Sequence, residues 1–268
     1  MQHTIIIPHR DRADHLRACL WSIARSADVT GRTDYEVLVM DSAPGPFNKA
    51  EAINGGIIAA SGEFITFLDA DAIVGPRWLE CVPFGEHITR VCYRVKYIGP
   101  SGWINSPSLS GWIFNEYDSC PLAFEAYGSP DSSPTGGAAH QGMSSKAFEP
   151  NGTWTPDLPD DTLTFGNSQF TIRREALGDL RFDENYAGRG FEDLDMIWRI
   201  WLNHGRRYKA VIWTDADHAM FHLTHDYAAT WSTPEILSRH CHYYRSKRDA
   251  TGGYRDEINR IRAGRATP

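Results

Sequence analysis

The chain has 268 residues, of which 41% are hydrophobic and 12% aromatic, and its formal net charge is −7. These values are typical of a globular protein with one large α/β domain or two small ones, and they exclude a disordered chain. The acidic balance argues against a nucleic-acid partner, and no apolar run approaches the roughly 20 residues that a membrane span needs.

The five cysteines are scattered along the chain and include no Cys-x-x-Cys pair. An odd number of cysteines without metal-binding spacing fits a reducing compartment better than a disulfide framework. The amino terminus opens directly on a predicted strand and has no signal-peptide pattern. We therefore expect a cytoplasmic protein, with peripheral association at the inner face of the membrane left open.

The first half of the chain alternates short apolar strands with helices, which is typical of parallel βαβ units. A buried strand over residues 4–7 ends at Pro8, and we expect Asp11 to cap the helix that follows. The apolar stripe predicted to face inward on that helix consists of Leu16, Leu20, Ile23, Ala24 and Ala27.

Arg10 and Arg12 lie between this strand and its helix, where they predict a site for a pyrophosphate or a base. A solvated polar loop is the alternative interpretation. A second buried strand over residues 35–41 ends in Asp41, and after a Pro/Gly linker a helix is predicted from about Asn48 to Ser61.

The most informative stretch is a buried strand, residues 64–68, that runs directly into Asp69 and Asp71. Unpaired carboxylates are costly in a core, so we expect both at the carboxyl edge of the sheet, where ligands bind in open α/β folds. Two carboxylates at such an edge suit Mg²⁺ or Mn²⁺ with substrate phosphates completing the shell. A surface Asp-x-Asp turn is the alternative.

Pro76 is predicted to open another helix, and a strand is predicted over residues 90–98. No Gly-x-Gly-x-x-Gly follows the first strand, which argues against a dinucleotide-binding domain. Residues 99–166 are rich in Gly, Pro, Ser and Trp, and the part over residues 128–145 predicts a mobile binding loop. The tryptophans in or beside this segment could stack on a sugar or belong to the core; they are Trp103, Trp112 and Trp154.

A strand over residues 167–173 and a short helix at Arg174 lead to the second informative stretch. Here Glu192 and Asp193 begin a helix directly after two glycines that allow close backbone approach to a ligand. Acids at a helix start also complement the macrodipole, which is the structural alternative to a catalytic pair. The predicted inward stripe of this helix is Leu194, Ile197, Trp198, Trp201 and Leu202.

A further strand is predicted over residues 206–214. His218, His222 and His225 follow it within eight residues, and any one of them could complete a divalent-metal shell with Asp71. From Pro234, behind Thr233, a charged amphipathic helix is predicted to run to about Ala250.

Four blocks occur in order: Ile-Ile-Pro-His-Arg-Asp-Arg from residue 6, Phe-Asn-Lys-Ala from residue 47, Asp-Ala-Asp from residue 69, and Gly-Phe-Glu-Asp-Leu-Asp from residue 190. With a late histidine, they resemble metal-dependent GT-A glycosyltransferases, namely the β-1,4-galactosyltransferase type and family 2. The resemblance covers most of residues 4–226, with 99–166 unmatched. It implies a mixed, mostly parallel α/β sheet flanked by helices, with a flexible insert on the acceptor side.

The resemblance also implies a division of the chain. Residues 1–233 would form the catalytic domain, with a nucleotide-binding half (1–98), the insert (99–166) and an acceptor and metal half (167–233). Residues 234–268 would form a carboxyl-terminal helix and tail.

By the same resemblance, Asp193 would be the general base and Glu192 its neighbour toward the acceptor. Asp71 would bind Mn²⁺ or Mg²⁺, with Asp69 beside it, and His222 is preferred as the third ligand because Phe-His-Leu matches the family's late histidine. The nucleotide site would comprise Pro8, His9, Arg10, Arg12, Asp41, Phe47, Lys49, Asp69 and Ala70. The sugar and acceptor site would comprise Asn167, Gln169, Arg189 and Gly190.

The implied activity is an inverting transfer of a sugar, of galactose or N-acetylgalactosamine type or similar, from a UDP-linked donor to a glycan or glycoconjugate hydroxyl. The chain departs from the galactosyltransferase pattern at three positions: Lys49 replaces an arginine, Arg189 a tryptophan and Phe191 a glycine. The pattern therefore does not determine the identity of the donor sugar. Three other classes fit less well. The chain has no glycine-rich loop of the kind that a sugar-1-phosphate nucleotidyltransferase carries after its first strand. Its early strands offer fewer metal ligands than a metal-dependent phosphohydrolase needs. A non-catalytic carbohydrate-binding protein would leave the acid pair and the late histidine unexplained.

Overall fold

The computed structural model describes residues 2–82, 89–93, 95–98, 153–154, 170–188, 190–204, 209–213, 218, 220–223 and 233–250. The strands are β1 (His3–Pro8), β2 (Tyr35–Met40), β3 (Phe64–Phe67), β4 (Ala72–Val74), β5 (Thr89–Tyr93), β6 (Val95–Ile98), β7 (Thr153–Trp154), β8 (Phe170–Arg173), β9 (Lys209–Trp213) and β10 (Met220–Leu223). The helices are α1 (Ala13–Thr30), α2 (Lys49–Ala59), α3 (Arg174–Leu177), α4 (Glu192–His204) and α5 (Pro234–Ala250), with a 3₁₀ turn at Trp78–Glu80.

The strands form a seven-stranded sheet in the order β2-β1-β3-β8-β5-β9-β7 and a three-stranded sheet in the order β4-β10-β6. In the larger sheet β1 runs parallel to β2 and β3, whereas β8 runs antiparallel to both β3 and β5. The predicted mixed, mostly parallel α/β sheet with flanking helices is confirmed.

The parallel trio β1, β2 and β3 decides where the polar segments of the first half meet. Parallel strands end at the same edge of a sheet, so the residues after Pro8, Met40 and Phe67 leave the sheet side by side. His9 still donates its backbone N–H to the Met40 carbonyl. This edge therefore collects both arginines and the three aspartates singled out in the sequence.

The sheet is covered on both faces, as its continuous apolar strands require. Successive side chains of β1 point to opposite faces, so Ile6 joins one core cluster, with α2 and α4, while Ile5 and Ile7 join another with α1. Tyr244 of α5 is buried in the first cluster as well. The first cluster therefore packs the sheet against α4, the helix that begins at the acid pair, and against α5.

The predicted amino-terminal details of α1 are wrong. Arg12, not Asp11, is the residue before the helix, no side chain caps it, and Asp11 has a φ of 59°. Ala24 is exposed, and the buried face includes serines instead, because Ser22 and Ser26 accept backbone N–H groups of Val74 and Leu79. A serine that satisfies buried backbone of another element is invisible to an apolar pattern.

Three further predictions need correction. The helix predicted from Pro76 is the single 3₁₀ turn, and the strand predicted over residues 90–98 is two strands, β5 and β6, in different sheets. Strand β2 is only partly buried because it lies at the edge of its sheet.

The predicted α2, α3, α4 and α5 are confirmed. The mobile loop, Trp103 and Trp112 lie outside the described residues. Within the described part of the chain, no helix is long and apolar enough to cross a bilayer.

Two adjacent glycines of α2 give a matched test of its packing on the sheet. A Cβ at Gly56 would lie 2.4 Å from Ile6 Cγ2, whereas a Cβ at Gly55 would meet only the flexible end of Met40 at 3.2 Å. We expect Gly56→Ala to destabilise the protein by about 1–3 kcal/mol through overpacking. Gly55→Ala should be neutral or stabilising by up to about 1 kcal/mol, since alanine favours a helix. Urea denaturation measures both, and equal effects of the two substitutions would contradict this packing.

Candidate active site

The segment after β2 is organised by Arg10. Its guanidinium donates to Asp41 Oδ1 at 2.9 Å, to the Gly45 carbonyl at 2.6 Å and to the Ser42 carbonyl and hydroxyl at 2.8 and 2.9 Å. It also lies over the Phe47 ring at 5.4 Å. Arg10 therefore shapes the 41–47 loop through its own donors, and it presents Asp41, which is exposed, at the edge of the sheet.

Arg12 is paired with the second aspartate of the Asp-Ala-Asp motif. Its Nη1 lies 2.6 Å from Asp71 Oδ2, and Asp71 is buried with only 6% of its surface exposed. A buried carboxylate needs a compensating charge, which the guanidinium supplies here. Arg12 and Asp71, 59 residues apart, thus form one polar unit beyond β1 and β3.

The other aspartate of the motif is linked to the distant acid pair by a single cation. Lys49 Nζ, in the first turn of α2, lies 2.5 Å from Asp69 Oδ1 and 3.8 Å from Glu192 Oε1. Burial lowers the pKa of Lys49, but the Asp69 and Glu192 carboxylates outweigh it and hold the pKa above its ordinary value. Lys49 is therefore a permanent positive charge between β3 and α4.

Asp193 lies beside this ion pair, at the second position of α4. Burial raises its pKa to about 7, helped by the negative charge of Glu192 and opposed by Lys49 and a hydrogen bond from the Leu194 N–H. The helix start favours the charged carboxylate, and burial beside a second acid favours the neutral one. Burial and the Glu192 charge prevail, so Asp193 exchanges its proton near neutral pH.

The turn before the acid pair has an unusual backbone. Gly188, Gly190 and Phe191 have φ values of 105°, 92° and 75°, all in the left-handed region. Phe191 bears a Cβ there, which costs conformational energy, and it stands where the resembling family has glycine. Gly188 donates its N–H to the Phe47 carbonyl and bridges to Asn48. The turn is thus attached to the loop that leads into α2.

The backbone register places two of the predicted metal ligands, Asp71 and His222, on neighbouring segments. His222 lies on β10 opposite Ala72 of β4, in register with the residue that follows Asp71. Two carboxylates and an imidazole from neighbouring backbone positions are ligands that Mn²⁺ and Mg²⁺ accept. Among the side chains that the structure describes, which do not include that of His222, no group of three metal-binding residues is assembled. The His218 ring lies 3.4 Å from Glu80.

The other predicted site residues that the structure describes lie next to these ion pairs along the chain. Pro8 ends β1, His9 accepts the Arg12 N–H at 3.3 Å, and Ala70 is buried in the cluster under α1. Gly190 lies in the left-handed turn. Four predicted positions lie outside the described residues: Asn167, Gln169, Arg189 and His225.

Two polar residues support the site through hydrogen bonds that were not predicted. Ser42 accepts the Asn48 N–H at 3.1 Å as well as the Arg10 bond, and Asn48 caps α2 by accepting the Glu51 N–H at 3.2 Å. The Asn-x-x-Glu spacing is a recognisable capping signal that would have identified Asn48. Nothing in the sequence marks Ser42, because its role depends on Arg10 from another segment.

Residues 43–115 match the family model described as glycosyl transferase family 2. No curated protein sequence matches the chain. Among solved structures, the catalytic domain of Drosophila β1,4-galactosyltransferase 7 in complex with xylobiose superposes with a TM-score of 0.52 at 14% identity, covering 91% of this chain and 79% of that one. A mutant of the same enzyme with manganese, UDP-Gal and xylobiose gives a TM-score of 0.50 at 14% identity, covering 87% and 77%.

S. aureus TarS in complex with UDP-GlcNAc superposes with a TM-score of 0.53 at 15% identity, covering 91% of this chain and 65% of that one. The chain therefore has the GT-A fold. The resemblance to family 2 and to β-1,4-galactosyltransferases, inferred above from four sequence blocks, is confirmed.

The raised pKa of Asp193 predicts a pH-dependent stability. The folded state binds a proton between pH 4 and 7 that the unfolded chain, with an ordinary aspartate, has already lost. Stability contributed by this group is therefore present at low pH and lost as the pH rises through about 7. We expect Asp193→Asn to become progressively more stable than wild type over this window, as measured by thermal unfolding at several pH values. Asp14→Asn, which removes an exposed carboxylate of α1, is the control. A difference that stays constant with pH would contradict the raised pKa of Asp193.

Proposed function

We propose that this protein is an inverting, metal-dependent glycosyltransferase that moves a sugar from a nucleoside-diphosphate sugar to a hydroxyl of a glycan or glycoconjugate. One observation carries the proposal: Lys49 lies between Asp69 of the Asp-Ala-Asp motif and Glu192 of the acid pair. The diphosphate site and the general base of such an enzyme must face each other across one sugar ring. The Lys49 ion pairs supply this proximity from segments far apart in sequence.

On the donor side, the leaving diphosphate gains negative charge as its bond to the sugar breaks. Arg12 and Lys49 are cations at the edge of the sheet with donors that suit phosphate oxygens. Asp71, with His222 on the adjacent strand and Asp69 beside it, would hold Mn²⁺ or Mg²⁺, which when bound stabilises that charge as a Lewis acid.

On the acceptor side, Asp193 is the general base and Glu192 lies beside it. The acceptor oxygen forms a bond to the anomeric carbon while the bond from that carbon to the diphosphate oxygen breaks, and the leaving group takes the electron pair. The hydroxyl proton passes to the Asp193 carboxylate. A base with a pKa near the working pH serves this step best, and the pKa of about 7 for Asp193 meets that requirement.

The nucleotide and the sugar are proposed from the resembling folds. The β1,4-galactosyltransferase 7 complex contains manganese and UDP-Gal, and the TarS complex contains UDP-GlcNAc. We therefore propose a UDP-linked hexose or N-acetylhexosamine as donor. The exposed Asp41 and the ring of Phe47 would contact the nucleoside. The division into a catalytic domain over residues 1–233 and a carboxyl-terminal helix and tail stays a prediction.

The general base is tested by Asp193→Asn in a donor-turnover assay with UDP-sugars, Mn²⁺ and a panel of glycan acceptors. Asparagine cannot accept the proton, so we expect transfer to fall by about 10²–10⁴-fold. The thermal shift caused by UDP should be retained, because the nucleotide site is unchanged. Glu235→Gln, an exposed first-turn acid of α5, is the control. If Asp193→Asn transfers sugar at the wild-type rate, Asp193 is not the base.

The metal site is tested by metal removal in a binding assay without turnover. UDP at about 100 times its dissociation constant stabilises a folded protein by about 2.7 kcal/mol. We expect Mn²⁺ to increase the UDP-induced shift in melting temperature and EDTA to abolish that increase. Asp71→Asn should lose the Mn²⁺-dependent part, whereas Asp28→Asn, an exposed residue of α1, should keep it. A shift that is insensitive to both EDTA and Asp71→Asn would exclude this metal site.

A further inference from the structure

Helix α5 contacts the left-handed turn that precedes the acid pair. His240 of α5 is buried, with 1% of its surface exposed, and its Nδ1 lies 3.1 Å from the Gly190 carbonyl oxygen. A carbonyl only accepts, so the imidazole donates through an Nδ1–H. The packing at this point is close, because a Cβ on Gly190 would lie 2.9 Å from Leu237 Cδ2. One face of α5 therefore fixes the Gly190 peptide by both a hydrogen bond and shape.

The same helix also supports the strained residue of the turn. The rings of Phe191 and Tyr244 are 5.8 Å apart at 39°, and Tyr244 is buried. A phenylalanine with a φ of 75° persists only where its surroundings hold it, and glycine would adopt this backbone without cost. In this chain, contacts from α5 offset the conformational cost that glycine would avoid at this position.

Ion pairs fix α5 at its other end. Lys247 Nζ lies 2.5 Å from Asp183 Oδ2 and 2.6 Å from Asp195 Oδ1, and Arg199 Nε lies 2.7 Å from the other oxygen of Asp195. Asp195 is buried and belongs to α4. Because Lys247 and His240 lie two turns apart on α5, the helix is attached to α4 and to the turn before it at separate points.

The turn transmits this support to the acids. The first helical hydrogen bond of α4 runs from the Asp195 N–H to the Phe191 carbonyl at 2.9 Å, so the backbone at 190–191 sets the direction in which the helix begins. On the opposite side, Gly188 is bonded to Phe47 at the loop before α2. Glu192 and Asp193 thus extend from a turn that is held from two sides.

We propose that His240 is a positioning residue for the acid pair: by donating to the Gly190 carbonyl it holds the turn that orients Asp193. His240 acts through the backbone and not on the reacting atoms. The effect on catalysis rests on the function proposed above, whereas the effect on the turn does not. A misplacement of about 1 Å at a catalytic group can lower a rate about 10²-fold. The hydrogen bond from His240 to the Gly190 carbonyl lies three residues before Asp193, so its loss should have a measurable effect on the rate.

Three substitutions of His240 separate the hydrogen bond from the bulk of the ring. Asparagine places an N–H close to the position of Nδ1, glutamine places it near Nε2, and alanine has none. We expect His240→Ala and His240→Gln to lower kcat by about 10- to 100-fold without changing KM for the donor. His240→Asn should retain most of the wild-type kcat. The control is His242→Ala, since His242 is exposed on the same helix and its Nδ1 bonds to the carbonyl of Ser238, one turn earlier in that helix.

Amide hydrogen exchange over residues 190–195 provides a readout that needs no substrate. Faster exchange there in the Ala and Gln variants, with wild-type exchange in the Asn variant and in β1, supports the positioning role whether or not transfer occurs. Unchanged exchange overturns the role while leaving a measured transferase activity intact. Faster exchange with wild-type kcat also overturns it, since the bond would then be structural only. If His240→Ala unfolds, the comparison of Gln with Asn decides.

Discussion

The site depends on one partly buried cation, Lys49. Asp69 follows a central strand and Glu192 begins a helix more than a hundred residues later, and burying two like charges without compensation would cost several kcal/mol. The ammonium group between them makes their proximity favourable, and it is held at the start of α2 by the Asn48 cap. The ion pairs therefore join the segment after β3 to the starts of α2 and α4, at the edge where the parallel strands end.

The same arrangement explains how a carboxylate at a helix start becomes a base suited to neutral pH. The helix dipole and Lys49 both stabilise a charged Asp193, while burial and the adjacent Glu192 oppose it and prevail. Two acids in one turn thus have different electrostatic situations. Glu192 lies within reach of the lysine, whereas Asp193, one residue further, exchanges its proton near pH 7.

Departures from the resembling family have structural consequences that can be traced. Phe191 occupies a left-handed position that suits glycine, and the chain holds it there by packing against Tyr244 and by the bond from His240 to Gly190. Helix α5 is therefore part of the structure that supports the acids, although its sequence resembles an ordinary charged surface helix. Arg10 is similar in that its donors are used to shape the 41–47 loop.

The sequence by itself determined the parallel βαβ units, the positions of the helices from α2 to α5 and the polar residues that follow β1, β2 and β3, because apolar period and strand order are local properties. It also identified Asp71 and Asp193 as members of one proposed site, through four blocks in a fixed order. Only the tertiary structure decided that Arg12 is paired with Asp71, that β5 and β6 separate into two sheets, and that Ser22, Ser42 and His240 are buried and bonded. These features depend on partners from distant segments, and the free energy of a buried polar group is set by the partner it meets and not by its neighbours in sequence.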